Sequence, residues 1–588
     1  MGYLPTDPAN FASEAIDGFA AAYPRHVRRI DGGVMRLAPI PTGQVGVVVG
    51  GGSGHYPAFA GLVGRGLAAG AVCGNIFASP SAGQVVRVGS AVERGAGLLL
   101  TFGNYAGDVL HFTLGAERLR RQGIDVRIVT VTDDIASAPI DQQELRRGIA
   151  GGLAVYKVAG AAAEAGLPLD EVERLARKAN GRTRSLGVAF SGCTLPGADQ
   201  PLFEVPSGRM AIGMGLHGEP GLSEGPLTEA GPLAALLVER LLAERPADVP
   251  EDQQRLVVLL NGLGCFKYEE LFVLFGAVNR ELQGRGVVMA DCECGELVTS
   301  LDMAGVSLSF FWLDGELEGF WNAAADSAAY RRGQLAAESD GPQPLATQRP
   351  EPELPSGPPT QTAAPLTPVQ QALLARFKAV EEELQERVEE LGGLDAVAGD
   401  GDHGLGMLRG IRGARESAIG ACGRGCGPGE VLMEAGEAWS DHGGGTSGAL
   451  WGGALLAAGQ SLAQAREIGP NDVAAAFGAA LQAVIDLGQA APGDKTMLDA
   501  LQPFCLRLRA DLDAGLDLAQ ALQNAANTSL EAATATADLL PQRGRARPHG
   551  QRSLGHPDPG AMSMAYCLLA ASAGYVGLHG VADPAQAS

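Results

Sequence analysis

The chain has 588 residues. A single hydrophobic core rarely serves a chain of this length, so the length predicts two or three domains. Its 44 Lys and Arg residues against 67 Asp and Glu residues give a formal net charge of −23, which disfavours binding to nucleic acid or to an anionic membrane surface. With 46% hydrophobic and 19% charged residues the composition is that of a globular protein, and its partners are expected to be small molecules.

The amino terminus and the cysteines favour a cytoplasmic protein. The opening MGYLPTDPANF lacks a basic stretch followed by an apolar run, and no segment reaches the length of a membrane-spanning helix, so we expect neither a leader nor a membrane anchor. Nine cysteines, an odd number without a repeated framework, favour reduced thiols. Cys292 with Cys294 and Cys422 with Cys426 lack a second matching pair, which favours structural thiols over a zinc site.

The first informative stretch is a predicted strand that runs into a glycine-rich loop. The apolar run QVGVVV gives way to GGGSGHYPAFAG over 50–61, where Ser53 and His55 supply polar side chains. Glycines let a ligand approach the backbone closely, but such strand ends are also common in α/β proteins without a ligand site. The loop lacks the GKS or GKT of a P-loop, and it is not a dinucleotide fingerprint.

Three further apolar segments, at 70–81, 97–112 and 126–136, end in small or acidic residues and alternate with predicted helices. This alternation predicts a parallel α/β sheet whose ligand lies near the carboxyl ends of the strands. Asp108 follows one such strand, where its carboxylate can act as a general base toward a bound hydroxyl. The alternative is that Asp108 caps the following helix, and the residues alone favour neither reading.

A second α/β portion is predicted after a helical stretch over 141–180, with strands that begin at 185–196 and close within 286–321. Within it, MAIGMGLHGEPG places His217 between glycines, with Glu219 two residues later. A lone histidine in a turn is usually structural. The flanking glycines expose this ring, however, and a neutral imidazole nitrogen is a competent nucleophile toward a ketone carbonyl.

A proline-rich segment separates two predicted domains. Residues 334–366 contain many prolines and almost no bulky apolar side chains, which is typical of a semi-extended, mobile linker. We therefore predict a first domain over 1–333 and an all-α second domain over 367–583, whose first helix ends at Gly392 and Gly393. Ala- and Leu-rich helices are predicted to follow near 428–440, 448–465, 471–488, 496–514, 516–538 and 560–577.

Three carboxylates, Asp395, Asp400 and Asp402, fall within eight positions of the stretch LDAVAGDGDHGLG (394–406). Its glycines disfavour a continuous helix and predict a tight loop that gathers the acids. Carboxylates packed together repel one another unless a cation lies between them, and Mg²⁺ prefers such oxygen ligands. An ordinary Asp/Gly surface turn is the alternative. The ligand spacing and closing Glu of an EF-hand calcium loop are missing.

The motifs of both halves together resemble one family. In the second half these are DAVAGDGDHG, HGGGTSGALWGG, PGDKTMLDAL and GHPDPGA, and in the first half GGGSGH, FASPS, NYAGD, GLHGEPG and TSLDMAG. In this order they are similar to the motifs of dihydroxyacetone kinases. The resemblance implies a substrate domain of two α/β subdomains followed by an all-α helical-barrel domain that binds ATP. It also implies a homodimer, with transfer within one chain or across the dimer.

The resemblance further implies roles for individual residues. His217 matches the histidine that forms a covalent hemiaminal with a short ketose, and His55 and Asp108 match the residues at the reacting hydroxyl. The substrate loop contributes Gly52, Ser53, Gly54 and His55. ATP is expected to bind with Mg²⁺, whose ligands would be Asp395, Asp400 and Asp402. The implied nucleotide contacts are Gly401, Asp402, His403, Gly404, Thr446, Ser447, Thr496, Met497, Asp558, Pro559 and Gly560.

The sequence departs from the dihydroxyacetone kinase motifs at several positions and leaves alternative functions open. Dihydroxyacetone kinases commonly have a glutamate where this chain has Tyr56 and a lysine where it has Gly103. The GHYP form resembles that of erythrulose kinases, so the ketose is expected to have three or four carbons. The segment GRARPHGQRS also departs from the family, on the adenine side. For Thr446 and Ser447 the alternative is a capped helix start. For the whole chain the alternatives are a regulatory protein built from kinase domains and a lyase that releases cyclic FMN from FAD.

Overall fold

The computed structural model describes residues 4, 7–219, 221–251, 254–333, 366–399, 401–463, 468–542 and 552–573. Strands and helices alternate up to residue 333, and from residue 366 onward the described residues form helices and connecting turns. This confirms the predicted fold class, an α/β part followed by an all-α part. The predicted linker lies outside the described residues except for Leu366, and Asp400 lies outside them as well.

The strands of the first part form two larger sheets and one small sheet. Their bounds are β1 Val27–Ile30, β2 Gly33–Arg36, β3 Gly46–Ser53, β4 Gly64–Arg65, β5 Gly70–Ile76, β6 Leu98–Gly103, β7 Val126–Val131, β8 Thr183–Ala189, β9 Arg209–Ile212, β10 Ser223–Pro226, β11 Arg255–Gly262, β12 Val288–Gly295, β13 Gly305–Trp312, β14 Ala325–Ser327 and β15 Arg331–Arg332. The first sheet has the order β1-β2-β5-β3-β6-β7, the second β10-β9-β8-β13-β11-β12, and the small one β15-β14-β4.

The parallel strands of the first sheet bring three predicted loops together. Strand β3 pairs in parallel with β5 and with β6, and β6 pairs in parallel with β7. Parallel strands end at the same edge of a sheet, so the loops GGSGH, FASPS and NYAGD meet there. The second sheet differs, since among its pairings β11 with β12 is parallel and the others are antiparallel.

Helices cover the sheets in layers. Their bounds are α1 Phe11–Ala22, α2 Ala82–Val92, α3 Ala106–Arg121, α4 Gly152–Glu164, α5 Leu169–Gly181, α6 Ala230–Ala243, α7 Tyr268–Gly284 and α8 Gly315–Asn322. One face of the first sheet packs on α2 and α3, and one face of the second sheet packs on α6 and α7. The two remaining sheet faces share a core with α4 and α5 between them. The result is a five-layer stack that fixes the two sheets relative to each other.

Helix α4 is the centre of this stack. Its sequence GLAVYKVAGAAAE is apolar around almost its whole circumference, as expected of a helix buried on every side. Its one lysine, Lys157, is fully buried and donates from Nζ to the Phe320 carbonyl at 2.8 Å. Gly160 allows the closest approach, because a Cβ there would lie 2.4 Å from the Leu67 backbone. The apolar character of α4 therefore follows from its position between the sheets.

The second part is a closed ring of helices. Their bounds are α9 Pro368–Glu386, α10 Val388–Ala396, α11 His403–Gly423, α12 Pro428–Gly443, α13 Gly445–Leu462, α14 Pro470–Gly488, α15 Leu498–Asp513, α16 Leu518–Ala535 and α17 Pro559–Ser572. From α11 to α17 each helix packs on the next, and α9 closes the ring by packing on both α17 and α11. The described residues thus form the expected helical barrel around one hydrophobic core.

One predicted helix end is wrong. The helix was expected to stop at Gly392 and Gly393, but α10 continues through both glycines to Ala396 and includes Asp395. The reason is a close backbone approach: a Cβ at Gly392 would lie 3.1 Å from the Gly401 carbonyl oxygen. A glycine inside a helix can thus serve packing rather than termination. The acidic loop is shorter than predicted and begins at Val397.

The barrel predicts a sharp difference between two glycines. A Cβ at Gly452 on α13 would lie 2.6 Å from the Gly436 carbonyl oxygen on α12, whereas a Cβ at Gly478 on α14 meets no atom within 4 Å. We expect Gly452→Ala to lower the free energy of unfolding by about 1–3 kcal/mol, because the two helices must move apart. Gly478→Ala is the matched control and should raise it by up to about 1 kcal/mol, because alanine favours helix. Denaturant titration of both variants measures this, and equal effects would contradict the packing.

Candidate active site

Two histidines from different subdomains face each other at the edge of the first sheet. His55 follows β3, and its Nδ1 lies 2.8 Å from the Thr299 carbonyl oxygen. Its Nε2 lies 3.0 Å from Nε2 of His217, in the loop after β9. Burial, and then the charge of His217, lower the pKa of His55 to about 3, so this ring is neutral near neutral pH. Since a carbonyl only accepts, Nδ1 of His55 carries the proton and its Nε2 is an acceptor.

The other side of His217 is held by an acid. Its Nδ1 lies 3.0 Å from Oε1 of Glu219, and its backbone N–H donates to Oε2 of Glu219 at 2.9 Å. Burial alone raises the pKa of Glu219, but the charge of His217, its hydrogen bonds and the charge of Arg147 outweigh burial and hold that pKa well below its usual range. Glu219 is therefore ionised and requires a proton on Nδ1 of His217, which leaves Nε2 as the nitrogen that faces His55.

Aromatic rings enclose this pair. Phe77 stacks on His55 with ring centroids 4.9 Å apart and meets His217 edge-on at 4.9 Å. Tyr105 lies edge-on to His217 at 5.1 Å, and its hydroxyl donates to the Gly148 carbonyl at 3.2 Å. Burial of His55 beneath these rings removes water from the imidazoles, which strengthens the hydrogen bonds between them.

The predicted substrate loop supports the FASPS loop by close packing. A Cβ at Gly52 would lie 2.9 Å from the Ala78 backbone nitrogen, and one at Gly54 would lie 2.9 Å from the Phe77 ring. Gly54 also has a φ of +100°, a backbone angle that residues with a side chain rarely adopt. The hydroxyl of Ser53 donates to the Gly74 carbonyl at 2.6 Å. The glycines of this loop thus allow Phe77 to reach the histidines.

Asp108 lies in the first turn of α3, directly after β6, and its residue is 7% exposed. The helix cap is Tyr105 rather than Asp108, so the capping alternative does not describe this carboxylate. The start of α3 faces the second domain, because a Cβ at Gly107 would lie 2.5 Å from Oγ of Ser79 and 3.5 Å from Oγ1 of Thr446. Asp108 therefore belongs to the turn that lies between the two domains.

The second domain holds a cavity of about 280 Å³ at this junction. Ala78 of the first domain is part of its wall. The predicted nucleotide and metal residues that line it are Asp395, Asp402, His403, Thr446, Ser447, Thr496, Met497, Asp558, Pro559 and Gly560. Gly401 and Gly404 do not line it. Gly404 instead packs against α10, because a Cβ there would lie 2.2 Å from the Val388 carbonyl oxygen.

Four helices begin at this cavity. Helix α11 begins at His403, α13 at Gly445, α15 at Leu498 and α17 at Pro559, and each of these first turns contributes to the cavity wall. The cap of α13 is Gly444, without a side-chain hydrogen bond, so Thr446 and Ser447 are not capping residues. The positive dipole ends of these helices favour an anion here. The cavity therefore suits the phosphates of a nucleotide.

The carboxylates of the cavity fit a cation. Burial, and then the charge of Asp395, raise the pKa of Asp402, and burial raises the pKa of Asp558 to about 7. A hard divalent ion offsets such repulsion and takes carboxylate oxygens, so Asp395 and Asp402 suit Mg²⁺. Asp400 lies outside the described residues, and among the described ones no group of three His, Cys, Asp or Glu side chains is arranged to hold a metal.

The two half-sites meet in this chain. The Gly445 backbone N–H donates to the Ser79 carbonyl at 3.2 Å, and Nε2 of His111 lies 2.7 Å from the Gly445 carbonyl oxygen. The FASPS loop, which carries Phe77, therefore touches the loop that carries Thr446.

Sequence reasoning missed several residues of this arrangement. Phe77, Tyr105, Thr299 and Arg147 were not predicted, and Glu219 was noticed without a role. The signal available for Glu219 was its place two residues after His217 between glycines, where a short turn folds the carboxylate back onto the ring. Phe77, Tyr105 and Thr299 contact the histidines only through tertiary structure, and Arg147 likewise contacts Glu219.

The two departures from the family fall in different surroundings. The ring of Tyr56 packs on Phe19 of α1 with centroids 5.9 Å apart, and the residue is 44% exposed. Tyr56 thus points away from the histidines. Gly103 lies beside the pocket, because a Cβ there would lie 3.0 Å from the Tyr105 ring.

Comparisons with known proteins agree with this architecture. Residues 17–329 match the Dak1 domain and residues 397–573 match the DAK2 domain. The chain is 50% identical to the L-erythrulose kinase of Pectobacterium atrosepticum over 97% of this chain and 96% of that protein. It is 51% identical to the D-erythrulose kinase of Mycolicibacterium smegmatis, over 96% of this chain and 97% of that one.

A solved structure resembles the whole chain. The dihydroxyacetone kinase from C. freundii, crystallised with AMP-PNP and Mg²⁺, aligns with a TM-score of 0.52 and 31% identity, over 97% of this chain and 99% of that one. None of the helices in the described ranges is both long and apolar enough to cross a membrane. Because both domain families match in order and the relatives align over nearly their full length, this chain belongs to the dihydroxyacetone kinase family of ketose kinases and is similar to its erythrulose kinases.

Proposed function

We propose that this enzyme transfers the γ-phosphoryl group of ATP to a terminal hydroxyl of erythrulose or dihydroxyacetone while His217 holds the sugar as a hemiaminal. The observation that carries the proposal is the position of His217, which contacts Glu219, His55 and Phe77. Phe77 belongs to the loop whose Ser79 carbonyl accepts the N–H of Gly445 at the nucleotide cavity. A nucleophile for the carbonyl and a cradle for phosphates thus lie at one junction. The similarity to kinases for both L- and D-erythrulose supports a four-carbon ketose and leaves its stereochemistry open.

The hydrogen bonds of the two histidines suggest how the hemiaminal forms. Because Nε2 of His55 is an acceptor, the hydrogen bond of 3.0 Å between the rings places a second proton on Nε2 of His217, and His217 first passes this proton to His55. Nε2 of His217 then bonds to the carbonyl carbon while the C=O π bond breaks, and the carbonyl oxygen takes the proton from His55. His55 returns to its neutral form, and the alkylated imidazolium of His217 remains beside the carboxylate of Glu219. The tether orients a small sugar that offers few hydrogen bonds.

Phosphoryl transfer then uses groups of both domains. Asp108 accepts the proton of the terminal sugar hydroxyl, and the hydroxyl oxygen attacks the γ-phosphorus while the bond from that phosphorus to the β-γ bridging oxygen breaks, which leaves ADP. The backbone N–H groups at the starts of α11, α13 and α17 hold the phosphates. Mg²⁺, when bound by Asp395 and Asp402 with Asp400, supplies positive charge to the transferring group. Positioning and electrostatics carry most of the rate, as is usual for phosphoryl transfer.

A panel of ketoses tests the activity. We expect ATP-dependent phosphorylation of erythrulose or dihydroxyacetone and none of glycerol, because glycerol has no carbonyl for His217 to attack. His217→Ala should abolish turnover while leaving the affinity for an ATP analogue unchanged, since the nucleotide cavity does not contain this ring. ADP release over C3 to C5 ketoses measures the first result, and calorimetry the second. Turnover of FAD with Mn²⁺ in the absence of ketose phosphorylation would instead favour the lyase.

Glu219→Gln tests the positioning of His217. An amide keeps the size of the side chain but removes the charge that stabilises the imidazolium, so kcat should fall by about 100-fold or more, as for other catalytic histidines that lose their acid. The fraction of protein molecules that carry the sugar adduct should fall in parallel with kcat. Mass spectrometry of samples quenched without a reducing agent measures that fraction. Glu224→Gln is the matched control, because Glu224 is exposed and pairs with Arg209 at the surface. Equal adduct levels in Glu219→Gln and the unsubstituted chain would contradict the role.

The protonation of His55 has its own test. Because burial and the charge of His217 lower its pKa to about 3, its ring should stay neutral from pH 8 down to pH 5. An exposed histidine instead titrates near pH 6.5. Histidine-selective ¹⁵N spectra, assigned with His55→Asn, measure the protonation state. A midpoint between pH 6 and 7 would exclude His55 as the resting proton acceptor.

A further inference from the structure

The two domains meet through a carboxylate that lies outside both ligand sites. Asp441 is in the last turn of α12, and its carboxylate accepts hydrogen bonds from the Ser81 hydroxyl and from Nη2 of Arg87, the latter at 3.0 Å. Ser81 caps the start of α2 in the first domain, and Arg87 lies in the middle of the same helix. None of the three residues lines the nucleotide cavity. Asp441 therefore joins the domains without touching either predicted substrate.

The position of Asp441 is costly for its own helix. A carboxylate in the last turn faces the negative end of the helix dipole, which destabilises it by about 0.3–1 kcal/mol. Cationic Arg87 offsets this only when the domains are in contact. Arg87 is also held by Asp31 of its own domain at 2.9 Å, so the guanidinium is oriented before Asp441 arrives. Charge complementarity at this point thus depends on docking.

The first turn of α2 fits closely against this carboxylate. A Cβ at Gly83 would lie 2.9 Å from Oδ1 of Asp441, so glycine lets the two helices approach. The same contact surface includes the backbone bond between Gly445 and Ser79, next to Thr446 and Phe77. Docking through Asp441 therefore sets the register between the phosphate loop and the wall of the ketose pocket.

We infer that Arg87 and Asp441 form a docking pair that brings the ATP-binding domain onto the ketose-binding domain for each transfer. The inference rests on the proposed kinase reaction and adds the surface that aligns its two halves. The pair is partly exposed, with 36% of the Arg87 side chain and 27% of the Asp441 side chain accessible to solvent. Such a contact can open to release ADP and the sugar phosphate. The docked domain is that of the same chain, because both side chains of the pair belong to one chain in this structure.

Charge reversal in the full-length chain tests the pair. Asp441→Lys and Arg87→Glu should each lower kcat at least about tenfold, because like charges then face each other across the contact. Binding of an ATP analogue and formation of the sugar adduct should stay unchanged, since both ligand sites remain intact. The double variant Arg87→Glu with Asp441→Lys restores opposite charges and should recover most of the lost kcat.

Two controls have the same charge changes elsewhere. Glu434 lies two turns before Asp441 on α12 and pairs with Arg424 of the same domain at the surface, so Glu434→Lys breaks only that exposed pair. Arg177→Glu breaks an exposed pair with Glu173 on α5. Both should keep the kcat of the unsubstituted chain. A fall of kcat in these controls equal to that of Asp441→Lys would assign the effect to net charge and overturn the docking pair.

Small-angle X-ray scattering separates this inference from the proposed function. The single reversals should increase the radius of gyration and the double variant should reverse the increase, whether or not the chain phosphorylates a ketose. A chain without kinase activity on any ketose would refute the proposed function, and the scattering would still decide the docking. Single variants with unchanged scattering, or a double variant no closer to the unsubstituted chain than the singles, would overturn the docking pair.

Discussion

The site depends on one imidazole held between a charged and a neutral partner. Glu219 fixes the proton on Nδ1 of His217, and His55, neutral because it is buried, faces Nε2 at 3.0 Å. In the proposed reaction, a carboxylate alone would orient the ring without accepting the Nε2 proton, and a second imidazole alone would leave the positive charge on His217 without a counter-charge. The two partners come from different subdomains, so the 3.0 Å distance is set by the stack in which α4 fixes one sheet against the other.

The same chain must bind a polyanion although its own net charge is −23. The cavity offsets the unfavourable net charge locally. Four helix N-termini converge on it, and their N–H groups and dipoles act within the first turn, where distant carboxylates are screened by solvent. The acids that remain in the cavity, such as Asp402 and Asp558, are those whose burial favours either protonation or a bound cation. Repulsion among them and attraction by the helix ends therefore favour a ligand that brings both phosphate and metal.

Much of this arrangement could be predicted from sequence because it follows local rules. Apolar runs that end in small residues located the carboxyl ends of β3, β5 and β6, and the helices after residue 428 begin and end within a few residues of their predicted bounds. The predicted helix end at Gly392 was wrong because this glycine allows a close approach to the backbone of Gly401. The local sequence pattern does not reveal that contact. Phe77 and Thr299 could not be predicted as partners of His55, since their contacts arise only when two sheets pack together.

The differences from the family pattern acquire a physical meaning only in three dimensions. Loss of a charged side chain at Tyr56 suggests a change in the pocket, yet its ring packs on Phe19 and is partly exposed, so it has no direct contact with the histidines. Gly103 is different. A Cβ there would lie 3.0 Å from the Tyr105 ring, which meets His217 edge-on, so a side chain at 103 requires a small shift of that ring. Of the two departures, the one at position 103 is therefore the one that borders the Tyr105 ring beside His217.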